Sequence, residues 1–129
     1  MNKEWMGDNR IKRKAWFLDI DGCIFENNGE DTTEIAINLM EQKQKLIAGT
    51  REQIAKWRSE GHYIIITTGR PKSLKQLTKE QLLAAGIAYD ELICGVPQER
   101  HLVNDINSRG EDTAFAHNII RNSGIKVVE

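Results

Sequence analysis

The apolar positions of this chain fall into short runs: Ala15–Ile20, Tyr63–Thr67, Leu92–Cys94 and Leu102–Val103. They are dominated by Ile, Leu and Val and separated by helical or turn-forming stretches. Continuous rather than alternating hydrophobicity predicts strands covered on both faces, as in a parallel sheet. Between the runs lie helical patterns. Thr50 and Gln53 have capping-box spacing, Ile54 and Trp57 share a face, and Gly61 supplies a stop. The same grammar recurs at Thr78 and Gln81, with Leu82, Leu83 and Ala85 ahead of Gly86, and a further helix is expected from about Thr33 to Lys43. Strand, helix, strand, helix, strand predicts an α/β domain, doubly wound around a mainly parallel sheet with helices on both faces. The stretch "TAFAHNIIR" reads equally as helix or strand, and "IKVVE" as a weak strand.

At 129 residues, with no repeats or linker-like tracts, one domain is expected. Residues up to Arg13 read as a solvated arm. The 18 Lys and Arg nearly balance 19 Asp and Glu, leaving a net charge of −1. Nothing in that balance favours a nucleic acid or a membrane surface. No apolar stretch approaches a membrane span, and no signal-peptide pattern follows Met1, so a cytoplasmic protein with free thiols is expected. Cys23 and Cys94 have no metal-ligand spacing, nor do His62, His101 and His117. Trp5, Trp16 and Trp57 make no stacking platform beside a basic stripe.

The chemistry lies where the runs end. In open parallel sheets, ligands bind beyond the carboxyl ends of the strands. Asp19 and Asp21 follow the first run, Thr67 to Arg70 the second, and Asn104 with Asp105 the last. Carboxylates crowded in such a crevice repel, and a hard, oxygen-seeking cation such as Mg²⁺ neutralises them. A carboxylate at a strand end can attack phosphorus. A second one, two residues on and past a tight bend at Gly22, can handle protons. Thr68 is positioned to bind a phosphoryl oxygen, with a cation needed for the remaining charge. Arg70, Lys72 and Lys75 form a basic loop that serves as either a solvated surface or an anion site. Cys23, beside these acids, reads as a small apolar residue.

"FLDIDGC", "IIITTGR" and "HLVNDI" resemble, in order and spacing, three motifs of the haloacid-dehalogenase superfamily of phosphatases. The resemblance covers about Phe17 to Asp105. It implies a Rossmann-like hydrolase domain over residues 14–129, with Asp19 as nucleophile and Asp21 as acid and base. Mg²⁺ would be held by the Asp19 side chain, the Asp21 carbonyl and the Asp105 side chain. Thr68, Gly69 and Arg70 would contact phosphate, with Lys72 reaching in from the same loop. The gaps from Phe25 to Thr50 and from Arg70 to Gly95 are each only about two dozen residues, too short for a cap domain. A capless site suits a macromolecular substrate or a homo-oligomer whose second copy closes the crevice. The stretch from "LICGVPQERHLVNDI" to "RNSG" is also similar to small bacterial phosphatase-like proteins of capsular and surface-polysaccharide synthesis, which by association implies a sugar phosphate.

The chain departs from the family pattern in two ways. Val96 stands where a phosphate-binding lysine is usual, leaving Arg100 as the nearest cation. Asn104–Asp105 replaces the commoner acidic pair. The leading expectation is therefore a Mg²⁺-dependent phosphohydrolase acting on a small phosphorylated metabolite. The alternatives are a catalytically silent binding or assembly module, a receiver-type phospho-acceptor domain, and a nucleic-acid end phosphatase.

Overall fold

A computed structural model describes residues 12–127. Most of the expected arm, 1–11, and the last two residues lie outside the described residues. Among the described residues the sheet has three parallel strands, β1 (Ala15–Leu18), β2 (Tyr63–Thr67) and β3 (Glu91–Ile93), in the order β1-β2-β3. Register places Leu18, Ile66 and Leu92 in one buried row, with Trp16 beside Ile64 on the same face. The alternate row of Phe17, Ile65 and Glu91 is only partly covered, and Phe17 is 53% exposed. This is the expected α/β class, with fuller cover on one face than on the other.

Three α-helices are described: α1 (Thr32–Met40), α2 (Thr50–Ser59) and α3 (Lys75–Ala84), the last entered through a 3-10 turn at Lys72–Leu74. Trp57 of α2 stacks on Trp16 of β1, ring centroids 4.0 Å apart, fastening helix to sheet. The helix starts differ from the sequence expectation. A reciprocal capping box does form, at Asp31 and Glu34 ahead of α1. At α2 the N-cap is Gly49 in the left-handed region, with no side-chain cap bond. At α3 the helix begins at Lys75, so Thr78 and Gln81 lie within it instead of capping it. Among the described residues no cap domain is inserted: the Phe25–Thr50 gap holds α1 and its loops, and the Arg70–Gly95 gap holds the 3-10 turn, α3 and β3.

The fourth apolar run is not a strand. Leu102 is 59% and Val103 95% exposed, and the segment around them has no regular structure. Two apolar residues among charged and polar neighbours bury too little to hold an edge position. The backbone just beyond them folds locally instead, with Asn107 Oδ1 accepting from the amides of Arg109 and Glu111. Residues 113–120 form neither helix nor strand, and the final segment is a 3-10 turn at Ile125–Val127. This tail straps the molecule. Asn122 N donates to Gly22 O, and its side chain pairs with both the amide and the carbonyl of Asn27. Among the described residues no helix is long and apolar enough to cross a membrane.

Candidate active site

Asp19 leaves β1 with Oδ1 accepting from the amide of Ile20 at 2.9 Å. The chain then coils tightly, the Ile20 carbonyl accepting from Cys23, Ile24 and Phe25 while Gly22 N donates to Phe25 O. This turn needs Gly22 at φ +89°, a region open to glycine at little cost. Buried Ile20 separates the two acids, which take opposite environments.

Asp19 faces outward. Its Oδ1 lies 3.5 Å from Arg100 Nη1, both side chains being about one-third exposed. Arg100 Nη2 also donates to the carbonyl of Val96 at 3.3 Å, so a guanidinium reaches Asp19 from the loop after β3.

Asp21 faces inward. Arg70 grips it with two bonds, Nη2 to Oδ1 at 2.7 Å and Nε to Oδ2 at 3.0 Å. Arg70 Nη1 donates to Thr78 Oγ1 and Gln81 Oε1, and Nη2 donates also to Gln44 Oε1. All five guanidinium N–H groups are thus taken within the protein. The Arg70 side chain is 1% exposed and Asp21's is 16%. A buried cation needs such pairing, since an unpaired one carries a heavy desolvation cost.

The loops after β2 and β3 are bonded together: Thr68 N to Ile93 O, Val96 N to Thr68 O, and Gly95 N to Arg70 O. Thr68 is buried, and its Oγ1 accepts from Arg70 N at 3.1 Å. Its O–H has no acceptor among the described residues and remains available to a ligand oxygen. A Cβ on Gly69 would lie 3.5 Å from the Val96 carbonyl, and the Lys72 stem passes beside Gly95.

The chain matches known proteins. A family model described as haloacid dehalogenase-like hydrolase covers residues 16–89. The chain belongs to the haloacid dehalogenase-like hydrolases. Among solved structures, it is similar to a chain of the Pnkp1/Rnl/Hen1 RNA repair complex, at 23% identity and TM-score 0.55, covering 64% of this chain and 25% of that one. A second structure of the Pnkp1/Rnl/Hen1 complex gives 23% identity and TM-score 0.53, over 63% and 27% of the two chains. The chain therefore spans about a quarter of those relatives. A crystal structure from Vibrio cholerae matches at 20% identity and TM-score 0.53, over 85% of both chains. At such identities the likeness is one of fold. None of the curated proteins matches.

In this family member the expected site residues are brought together unevenly. Asp19, Asp21, Thr68, Gly69, Lys72 and Arg100 lie at the carboxyl ends of the strands. Asp105 sits in the exposed segment after the missing fourth strand, and the described residues contain no group of three His, Cys, Asp or Glu side chains able to hold a metal. The donors that remain are the Asp19 carboxylate and the Asp21 carbonyl, to which no amide donates among the described residues. Two hard oxygens on one turn fit Mg²⁺, which commonly keeps waters or takes phosphate oxygens for its other positions.

Sequence reasoning missed Gln44, Thr78 and Gln81 as site components. The spacing of Thr78 and Gln81, read as a cap, in fact presents both to Arg70. Gln44 had no local signal. Cys23 behaves as an apolar residue, for burial and then the Asp19 charge push its thiol up to about 11. Burial likewise raises Cys94.

Proposed function

We propose that this chain is a Mg²⁺-dependent phosphohydrolase that passes a phosphoryl group through Asp19. The observation that carries it is the division of labour on one turn, with Asp19 open beside Arg100 and Asp21 held by Arg70. An Asp19 oxygen attacks phosphorus, forming an acyl phosphate as the ester P–O bond breaks. Asp21 gives its proton to the departing oxygen, then takes one from the water that attacks phosphorus and releases Asp19. Arg100 and the Thr68 hydroxyl hold phosphoryl oxygens, with Gly69 admitting the ligand close to the backbone and Lys72 at the rim. Arg70, fully occupied within the protein, positions Asp21 and leaves phosphate to these others. Bound Mg²⁺ would offset the charge between Asp19 and the phosphate. The substrate is a small phosphorylated metabolite, with a sugar phosphate favoured, handled in the cytoplasm by one domain whose open crevice a second copy closes.

The test is a screen of sugar phosphates, nucleotides, a phosphorylated oligonucleotide and an aryl phosphate, with Mg²⁺ and with chelator, beside Asp19→Asn. Turnover that needs both metal and Asp19 supports the reading. Turnover retained by Asp19→Asn removes the nucleophile assignment. The placement of Asp105 outside the acid pair favours a second reading, a silent binding module. Phosphate binding by a folded protein without turnover on any substrate would establish it.

A further inference from the structure

Asp21 is held by more than its arginine. Gln44 Nε2 donates to Asp21 Oδ1 at 2.7 Å and to the Glu26 carbonyl at 3.0 Å. Its Oε1 accepts from Arg70 Nη2 at 2.9 Å and Gln81 Nε2 at 2.8 Å. Both amide donors and both oxygen lone pairs are used. The orientation is dictated, because a carboxylate and a carbonyl can face only the NH₂ end. The backbone places this residue firmly. Glu26 N donates to Lys45 O, Ile47 N donates to Ile24 O, and Phe25 pairs with Leu46, so the segment after Gln44 lies as a ribbon against the turn carrying Asp21.

The bonds on the carboxylate are unequal. Oδ1 accepts two, from Arg70 Nη2 and Gln44 Nε2, both at 2.7 Å. Oδ2 accepts one, from Arg70 Nε at 3.0 Å. The arginine fork alone would give each oxygen one bond. Gln44 adds a second bond to Oδ1 and fills its last lone pair.

We infer that Gln44 is a positioning residue that assigns proton transfer in this site to Oδ2 of Asp21. The inference rests on the phosphohydrolase reading and deepens it. The leaving oxygen, and later the attacking water, meet Oδ2, the one carboxylate atom with a lone pair not committed to the protein. Gln81 supports the arrangement one step away, bonding Gln44 and Arg70 without touching Asp21.

Leaving-group dependence tests this, because an alkoxide must be protonated as it departs and a nitrophenolate need not be. Purified wild type and Gln44→Met are compared on an alkyl phosphate and on 4-nitrophenyl phosphate, with thermal melting to establish folding. The expected result is a kcat/KM for the alkyl ester, which reports the steps through departure of the alkoxide, lower by roughly 10- to 100-fold, as misplacement by about an ångström produces. On the nitrophenyl ester kcat/KM should stay within about 3-fold, since phosphoryl transfer to Asp19 needs no proton there, whereas the later water step is common to both esters and enters only kcat. Equal losses of kcat/KM on both esters, or no loss on either, overturn the assignment. If Gln44→Met does not fold, Gln81→Met replaces it, with a smaller loss confined to the alkyl ester expected and an unchanged alkyl-to-aryl ratio overturning the inference. Wild type inactive on both esters is a distinct result, and it overturns the phosphohydrolase reading and this inference together.

Discussion

Arg70 and Asp21 form a two-bond buried ion pair, with Nη2 to Oδ1 at 2.7 Å and Nε to Oδ2 at 3.0 Å. The pair ties the turn after β1 to the loop after β2, which are far apart in sequence. It also fixes the plane of a carboxylate beside the partly exposed Asp19.

Removing one partner leaves the other charge buried without compensation. Arg70→Met is expected to lower stability by about 3–5 kcal/mol, read from the midpoint of urea unfolding. Arg70→Lys keeps the charge but not the planar fork, and should fall between wild type and Arg70→Met. A midpoint for Arg70→Met equal to that of wild type would remove the pair from the structural account.

Arg100 predicts the opposite balance. Its contact with Asp19 is 3.5 Å long and partly solvated, so Arg100→Ala should change stability by no more than about 1 kcal/mol. If the guanidinium replaces the absent lysine, the same variant loses about 10²-fold or more in kcat on the best substrate, with Arg100→Lys recovering part of it. A large stability loss with unchanged kcat would reverse the assignment.

Gly22 stands at φ +89°, and a Cβ there would lie 3.1 Å from Arg121 Cγ. Gly22→Ala should therefore cost about 1–2 kcal/mol from the left-handed backbone alone, seen as a lowered Tm. Gly29, at φ +91° with open space around it, isolates the backbone cost. The deficit of Gly22→Ala beyond Gly29→Ala measures the crowding against Arg121.

Burial lowers the pKa of His62, with Lys14 and Arg13 adding to the effect and Glu60 opposing it. Its Nδ1 accepts from the amide of Lys14 at 3.1 Å, a bond that needs that nitrogen unprotonated. The unfolded chain then binds a proton more readily than the folded one, so stability rises with pH across this titration. The contribution is complete above the unfolded value near pH ~6.5 and declines as pH falls through the lower folded value. Urea midpoints measured from pH 7.5 to 5 should fall in wild type and fall less in His62→Gln. Identical slopes would remove His62 as the cause.

Much of this protein is legible in its residues. Short apolar runs place β1, β2 and most of β3, and Leu18, Ile66 and Leu92 bury the row that packs on the core, while Phe17 and Glu91 of the alternate row stay exposed. "DIDGC" and "TTGR" announce the site, since carboxylates and a hydroxyl at buried strand ends need chemistry to justify them. Both signals are local. What local pattern could not assign was the partner of each polar group. Thr78 and Gln81 have capping-box spacing, yet α3 starts earlier and turns both toward Arg70. Arg70 itself, in a basic loop that suggests an anion site, is drawn inward because Asp21, Gln44, Thr78 and Gln81 together satisfy all its donors. Leu102–Val103 has the composition of a strand but not the neighbours, and without buried area its backbone leaves the sheet, taking Asp105 with it. The sequence by itself determined which segments must be covered and where acids gather at their ends. Only the tertiary structure decided which of those acids faces a buried arginine and which faces solvent, because hydrogen-bond satisfaction depends on groups that meet only when the chain has folded.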